Sequence, residues 1–578
     1  MHAPNGSDEP ASADLLLGSF SDTPPWQVVP DAMRWRDGVD ALRAETARQV
    51  PGLLKRRRLP PVGPAARLAL RLLPALGGWY LIDRPRARRR DDQSASKAGL
   101  SRRLRRAFER LGPTYIKLGQ IISSGEGLFP AELVHEFRYL RDRVPAEPFE
   151  AVRQVIEADL GRPLDSVFSS FDERPLAAAS IAQVHAAVLR SGEGVVVKVQ
   201  RPTVASAVRE DLAAMSWVAP LLIGRIAVTA LANPPALVEV FGDTIVEELD
   251  FRLEAENMLD VARVLATTGQ RSLVVPRPHP SLVTRRVLVM ERLDGFSFDD
   301  VAGMREAGVD TAAVVRALMV SFLEGAALYG VFHGDLHGGN LFVRPDGRVA
   351  LLDYGITGRL DEPRRLAFLR LLVAGSLNDP LLQLAALRDL GALPPETDLA
   401  VVVTDLGLDR PPLDPATVAP EDLLRELRDI TRKLLDYGAR FPKVLMLFVK
   451  DLLFLDGALA TLAPDVDLLG EVVSISAYFA ERHGAQITAD IGIDPRLALM
   501  DLETARTALA LPPDITHMSN RELQERRELI RRRLEEHRRG ADRHRVRRAW
   551  SAGVRAARTL AGRPPARPAD SPDGRAGR

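Results

Sequence analysis

The chain has 578 residues, 46% of them apolar and 27% charged, with a formal net charge of +1 and no cysteine. That length suggests several domains, and that composition suits folded cores beneath a charged surface. The lack of thiols excludes disulfides, thiolate zinc sites, iron–sulfur clusters and cysteine nucleophiles.

The first residues, MHAPNGSDEP, are acidic and lack the charged start and apolar core of a secretory signal, so the expected location is cytoplasmic. Residues 1–60 are rich in Pro, Ser and Asp and read as a mostly extended arm, with one amphipathic patch from Trp35 to Arg48. Ala65 to Ile82 (AARLALRLLPALGGWYLI) is apolar and lies between two basic clusters, Lys55 to Arg58 and Arg84 to Arg90. That is the pattern of a membrane-surface segment. It is also the pattern of a helix docked on the protein body, which is the simpler reading.

Helical patterning runs from Ser101 to about Asp159, followed by a β-rich stretch from Phe168 to Gln200 that ends in GVVVKVQ. Helices resume from Thr203 to Leu265. Leu212 to Ala232 is long enough to span a bilayer, but Arg225 interrupts it and Pro220 and Gly224 weaken it. A central arginine costs on the order of 2.5 to 3.5 kcal/mol on insertion. A buried or membrane-facing helix pair is therefore expected, not a span. RRVLVMERLDG, Arg285 to Gly295, returns to strand. Later helices enclose a β island, NLFVRPDGRVALLDYG, with a hairpin turn at Pro345, Asp346 and Gly347. Arg521 to Arg578 holds 18 arginines against 8 acids, a net of +10 on an otherwise acidic chain. Such a tail suits an anionic partner, or is a solvated helix with a disordered end. Nucleic acid is a poor candidate partner, because the tail has one aromatic residue, Trp550, for base stacking.

HGDLHGGN supplies Asp335 and, five residues on, Asn340; LLDYG supplies Asp353 just past the hairpin. D-x-x-x-x-N followed by D-[FY]-G is the protein-kinase catalytic spacing. In that reading Asp335 orients or deprotonates an attacking hydroxyl or water, and Asn340 and Asp353 hold Mg²⁺ against phosphates. The rival is a His333, Asp335 and His337 metal site, whose residues would share one face of a strand. Two adjacent glycines and poor β propensity make the segment a loop instead. Further kinase partners occur in order. Lys198 shares a strand face with Val196 and Gln200, and needs an anionic neighbour. The acidic helix from Glu247 to Asn257 offers Glu248, Asp250 and Glu254, with Asp250, Glu254 and Asn257 on one face. Where a kinase has its G-x-G-x-x-G loop, this chain has PLAAAS, Pro175 to Ser180. Alanine does not take φ > 0 cheaply, so the phosphate cover must adopt another shape.

These pieces together resemble the UbiB-type atypical kinases, also called AarF-domain-containing kinases. LGPTYIKLGQ, Leu111 to Gln120, is similar to that family's K-x-G-Q motif, AAAS to its Ala-rich loop, and ELDFRLEAEN to its E-x-D segment. The match covers about Ser101 to Asp467. Leu336 and Gly338 replace two prolines of the family's H-x-D-P-H-P-G-N, Tyr354 replaces a phenylalanine, and SSGEG (Ser123 to Gly127) replaces S-T-R-P-D.

The resemblance implies an α+β, bilobal protein-kinase-like fold with an N-terminal helical extension and additional C-terminal helices. With the ends, which the match does not cover, read from composition, the chain divides into a largely disordered arm (1–60), a helical extension with the K-x-G-Q motif (61–160), an N-lobe (161–295), a C-lobe (296–470), C-terminal helices (471–540) and a basic disordered tail (541–578). The resemblance carries further expectations. It implies ATP and Mg²⁺ as cofactors. Catalytic positions would be Asp335, Lys198 and Glu254. Nucleotide contacts would come from Ala177, Ala178, Ala179, Ser180, Lys117, Gln120, Lys198 and Glu291, and the metal ligands would be Asn340 and Asp353. The activity implied is that of an ATPase or small-molecule kinase supporting isoprenoid-quinone or membrane-lipid metabolism. A membrane lipid or quinone precursor is the implied partner, with peripheral binding to the anionic inner face of a membrane. A true protein kinase and a non-catalytic nucleotide-sensing scaffold are the alternatives.

Overall fold

The computed structural model describes residues 20–536, except 23–24, 29–32, 56–58, 91–92, 124–128, 141–144, 223–233, 410–421, 423–428, 431, 435, 441, 495, 497–498, 510, 513 and 535. The basic tail 541–578 and the second half of the Leu212–Ala232 stretch lie outside the described residues.

GVVVKVQ forms β4 (Gly194–Gln200), because β-branched side chains suit a pleated, buried surface. It is central in an antiparallel sheet ordered β1 (Phe168–Phe171), β3 (Ala182–Leu189), β4, β7 (Val287–Glu291) and β6 (Pro278–Val283), with β2 (Ala177–Ala178) paired to β3. Alternation sends Val195, Val197 and Val199 to one face, where they pack with Val287 and Val289 under Val152, Val155 and Ile156. Val196 and Lys198 take the other face, which looks into a cleft. The β island forms a second, four-stranded sheet ordered β5 (Leu273–Val274), β11 (Val349–Leu351), β10 (Leu341–Val343) and β8 (Phe296–Ser297). Its hairpin turns at Gly347, whose φ of +82° is cheap only for glycine. β9 (Val331–His333) pairs with β12 (Thr357–Arg359), with His333 opposite Thr357.

The helices are, in order, α1 (Val39–Leu54), α2 (Val62–Gly78), α3 (Gln93–Leu111), α4 (Pro113–Ser123), α5 (Ala131–Arg138) and α6 (Phe149–Leu160) before the first sheet. Next come α7 (Val204–Val218), α8 (Pro234–Glu247) and α9 (Phe251–Thr268), inserted between β4 and β5. The second lobe adds α10 (Thr311–Glu324), α11 (Glu362–Ser376), α12 (Pro380–Asp389), α13 (Leu399–Leu406), α14 (Lys443–Leu462), α15 (Leu468–Ile491) and α16 (Leu502–Ala508). Many of these helices start on an aspartate that accepts backbone N–H groups: Asp250, Asp310, Asp361, Asp379, Asp398, Asp467 and Asp501. Each such cap contributes about 1 kcal/mol. This is the two-lobed α+β arrangement that the family resemblance implies.

The arm expected over 1–60 needs correcting from residue 20 onward. Phe20, Val28, Met33 and Trp35 are buried, and α1 packs on the body. Trp26 donates to the Pro278 carbonyl at 3.1 Å, and the Arg36 guanidinium makes a two-pronged bond to Glu256 at 2.8 and 2.9 Å. These apolar residues are scattered without a period, so each fills a place on the body rather than building a core that patterning could reveal.

α2 answers to both readings of Ala65 to Ile82. Leu68 and Ala75 face inward, and Arg67 pairs with buried Asp211 of α7. Its outer side leaves Val62, Leu70 and Leu73 exposed, and the π-helical turn that follows (Trp79–Asp83) exposes Tyr80 and Leu81, all from 58% to 79%. α7 buries Leu212 and Met215 in the body. Among the described residues one helix, Thr311–Tyr329, is long and apolar enough to cross a membrane, and 67% of its apolar window is buried inside the protein.

Candidate active site

Lys198 sits on β4 between Val184 of β3 and Leu288 of β7, in a register that fixes which way it points. Its ammonium donates to Glu254 Oε1 at 2.6 Å and to Asp353 Oδ1 at 3.1 Å. One lysine thus ties the sheet, the first turn of α9 and the DYG loop together. Burial opposes its charge, but Asp353 and Glu254 outweigh it and hold the lysine above its ordinary range. Burial pushes the Glu254 carboxyl up, against the pull of Lys198.

A second pair lies alongside. Lys117 of α4 meets Glu248 Oε1 at 2.9 Å, bringing the K-x-G-Q helix across the cleft. Burial again opposes the charge, and Glu248, Asp335 and Asp353 together raise the Lys117 value. The glycine of that motif has a packing cause. A Cβ at Gly119 would come within 2.3 Å of Leu140 Cδ1, so α4 seats closely only without one. Gly355 plays a similar part beside the DYG aspartate: a Cβ there would meet Asp353 Oδ1 at 3.2 Å and Glu248 Cγ at 3.4 Å.

Asp335 is held by a residue that sequence reasoning missed, Lys450 of α14, which donates to its Oδ1 and to the Gly334 carbonyl, the latter at 3.0 Å. No local motif signals Lys450, which lies 115 residues downstream; only the fold brings it here. Burial works against ionised Asp335, but Lys450, Lys117 and His337 hold its carboxyl well below the usual carboxylate range. Asp353 is depressed likewise: burial is outweighed by Lys198, Lys117 and the Gly355 N–H.

His333 commits both ring nitrogens to backbone, Nδ1 accepting from Asp335 N at 3.1 Å and Nε2 bonding the Asp353 carbonyl. Burial drives its value down to about 4, so the ring is neutral and Nε2 is the donor. It joins the HGDLHGGN and DYG loops, and could ligate a metal only by giving up one of these bonds. The loop also uses its departures from the family pattern. Leu336 N–H donates to buried Asp451 Oδ1 at 2.9 Å, a bond that a proline could not make.

Two sequence expectations move. Asp250 does not face the cleft with Glu254 and Asn257; it is the N-cap of α9, bonded to Arg252 N and twice to the Arg252 guanidinium. Asn257 does reach the site, donating to the Tyr354 carbonyl at 2.8 Å. Glu291, expected at the nucleotide, pairs in register with Val195, on the sheet face away from Lys198. Its carboxylate accepts from Ser21 Oγ and from Arg277 N at 3.2 Å. The Glu291 side chain is spent on Ser21 of the N-terminal segment and on Arg277. A cavity of about 500 Å³ lies beside it, lined in part by Ser21, Leu293, Gly295 and Arg344.

The Ala-rich stretch is a hairpin arm. Ala177 pairs with Val184 and Ala178 with Gln183, and Ala179 N–H closes the turn on the Ala182 carbonyl at 2.8 Å. Among the described residues only Asn378 departs from glycine in having φ > 0, so the alanines take ordinary extended backbone. Arg201 fastens this turn to the extension, donating to the Ala179 carbonyl at 3.0 Å and to Glu147 at 2.8 Å. Ser180 is buried beside it, and Gln120 lies one turn beyond Lys117 on α4.

The donor set suits Mg²⁺. Asn340 spends its amide N–H on the Asp335 carbonyl at 3.1 Å, and Asp353 spends Oδ1 on Lys198 and Gly355. Asn340 Oδ1 and Asp353 Oδ2 carry no protein hydrogen bond among the described residues, and both are hard oxygen donors. The Asp353 side chain is 41% exposed, open to a ligand.

A family model for the ABC1 atypical kinase-like domain matches residues 139–381. An uncharacterised protein of Mycobacterium tuberculosis is 38% identical over 65% of this chain and 77% of its own length. An uncharacterised chloroplast aarF domain-containing protein kinase of Arabidopsis thaliana is 35% identical over 63% of this chain and 72% of its own. A probable protein kinase UbiB of Marinobacter nauticus is 32% identical, covering 69% and 71%.

Proposed function

Because the chain belongs to the ABC1 atypical kinase-like family, we propose that it binds Mg²⁺-ATP and acts as an ATPase or small-molecule kinase on a membrane lipid or isoprenoid-quinone precursor. The observation that carries this reading is the Lys117–Glu248 pair beside the Lys198–Glu254–Asp353 set. It lays a helix of the extension over the cleft, where an extended protein substrate would otherwise approach.

In this reading Lys198 contacts the α- and β-phosphates while Glu254 fixes its position. Asn340 and Asp353 hold Mg²⁺, which when bound neutralises charge on the transferring phosphates. Asp335 is kept ionised by Lys450, so it orients the attacking hydroxyl or water more than it removes a proton. That suits a loose transition state, in which little proton transfer precedes cleavage. Lys117 adds positive charge close to Asp335 and Asp353. The hairpin of Ala177 to Ser180 covers the phosphates in place of a glycine loop.

The outer side of α2 supports work at a membrane. Its exposed leucines follow the helical period, and Arg84, Arg86, Arg88 and Arg89 come after them in sequence. An apolar stripe plus basic residues gives stable peripheral binding where either alone is marginal.

The test is phosphate release from ATP, with and without anionic vesicles, run beside radiolabel transfer to protein. Release stimulated by vesicles, without protein labelling, is the expected result. Stoichiometric labelling of an added protein at a faster rate than release would instead establish a protein kinase. Mg²⁺-ATP binding without release or labelling would establish a nucleotide-sensing scaffold.

A further inference from the structure

On the far side of α9 from Lys198 lies a second cavity, of about 200 Å³, between α1, α7 and the α8–α9 junction. Three arginines line it, Arg209 of α7, Arg252 of α9 and Arg285 of the β6–β7 turn, against one acid, Asp250. Arg252 is engaged by Asp250 through Nε and one terminal nitrogen, at 2.9 and 2.7 Å. A guanidinium has five N–H donors, so Arg252 keeps others to offer. The Arg209 and Arg285 side chains are exposed and have no ion pair or hydrogen bond among the described residues. The rest of the lining is Leu42 and Leu53 with Thr46 and Gln49 from α1, and Val246 and Leu249 from the junction. The site is also well anchored, since Phe251 N–H donates to the Arg285 carbonyl at 3.0 Å and joins the turn to the start of α9.

Two unpaired guanidiniums, a third with spare donors and leucines in the lining make an amphipathic anion site. Forked arginine donors match phosphate oxygens. We propose that this cavity binds the phosphate of a phosphate ester, with the adjoining carbons of the ester lying on Leu42, Leu53 and Leu249. Its volume suits a headgroup or a small ester rather than a whole nucleotide. The occupant rests against Leu249 and Asp250, which follow Glu248, the partner of Lys117. It therefore steadies the K-x-G-Q contact from behind, without entering the cleft. The assignment does not depend on the reading of the nucleotide cleft.

The test uses the full chain and two probes, glycerol 3-phosphate and dihexanoyl phosphatidate below its micelle concentration, titrated calorimetrically and by thermal shift. Arg209→Ala with Arg285→Ala removes two exposed side chains that have no partner to lose, and circular dichroism confirms its fold. The expected result is saturable binding to the wild type, weakened at least about tenfold in the double variant. Tighter binding of the phosphatidate would identify a lipid headgroup as the occupant, and equal binding a soluble ester; both support the site. Equal affinity in wild type and double variant would overturn it, because the phosphate would then be held elsewhere. Failure of both probes to bind the wild type would overturn it as well.

Discussion

The cleft and the N-terminal collar of residues 20–82 are held together in different ways. In the cleft, every central charge has a partner: Lys198 with Glu254 and Asp353, Lys117 with Glu248, Lys450 with Asp335. In the collar, apolar residues Phe20, Val28, Trp35, Val50 and Leu68 are buried, two ion pairs, Arg36–Glu256 and Arg67–Asp211, fasten it to the body, and the outer side of α2 stays exposed. The difference teaches where each region's energy lies. Removing one buried charge of the cleft leaves another without its partner, whereas trimming one apolar side chain of the collar leaves its neighbours intact.

That contrast breaks first at Lys198. Lys198→Met strands Glu254 and Asp353 together, and loss of one partner from a buried pair costs about 3 to 5 kcal/mol. Urea unfolding should show a drop of that size, with nucleotide binding lost. A loss within about 0.5 kcal/mol, the usual range for surface changes, would mean that the pairing is not structural.

Lys450→Met probes the pair that sequence motifs did not reveal. Turnover should fall on the order of tenfold to a hundredfold, while Mg²⁺-ATP affinity changes little, because Lys450 contacts Asp335 and not the metal ligands. Unchanged turnover would make Lys450 a packing residue.

The collar has its own pH signature. His279 packs its ring against Trp26, tilted by 54° with centroids 4.9 Å apart, and burial lowers its value from 6.5 to about 4. A folded value below the unfolded one means that the stabilisation is present above about pH 6.5 and is lost as pH falls towards about 4. The loss is on the order of 1 to 3 kcal/mol. His279→Phe keeps the ring contact without the titration, so its stability should fall less over that window. Parallel unfolding curves for the two proteins would contradict the assignment.

The smallest effect on stability belongs to the exposed stripe. Leu70→Glu with Leu73→Glu should leave the unfolding midpoint nearly unchanged, yet weaken sedimentation with anionic vesicles by about tenfold or more, since each buried leucine contributes about 1.5 to 3 kcal/mol. Equal recovery with vesicles would show that α2 does not meet lipid.

The same contrast explains what could be read from the sequence. The cleft was legible because catalytic spacing is local: Asp335 to Asn340, the hairpin to Asp353, and Val196 and Lys198 on one strand face. Lys450 was not legible, since only tertiary packing carries α14 to the catalytic loop. The orientation of Glu291 was missed because strand position alone does not say which face an end residue takes; the register with Val195 decides it. Asp250 was placed on a helix face although an aspartate just before an apolar-periodic run is an N-cap signal. Residues 20–60 were read as mostly extended, apart from the amphipathic patch from Trp35 to Arg48, because Phe20, Val28 and Met33 follow no period. α2 was left between two readings because it is in fact two-sided.

The central claim is that Asn340, Asp353 and Lys198 form a Mg²⁺-ATP site. The most direct measurement is calorimetric titration of ATP into the wild type and into Asp353→Asn, each with and without Mg²⁺. The account predicts that Mg²⁺ strengthens ATP binding to the wild type, and that Asp353→Asn abolishes most of that Mg²⁺-dependent gain. An equal gain from Mg²⁺ in both proteins would contradict it.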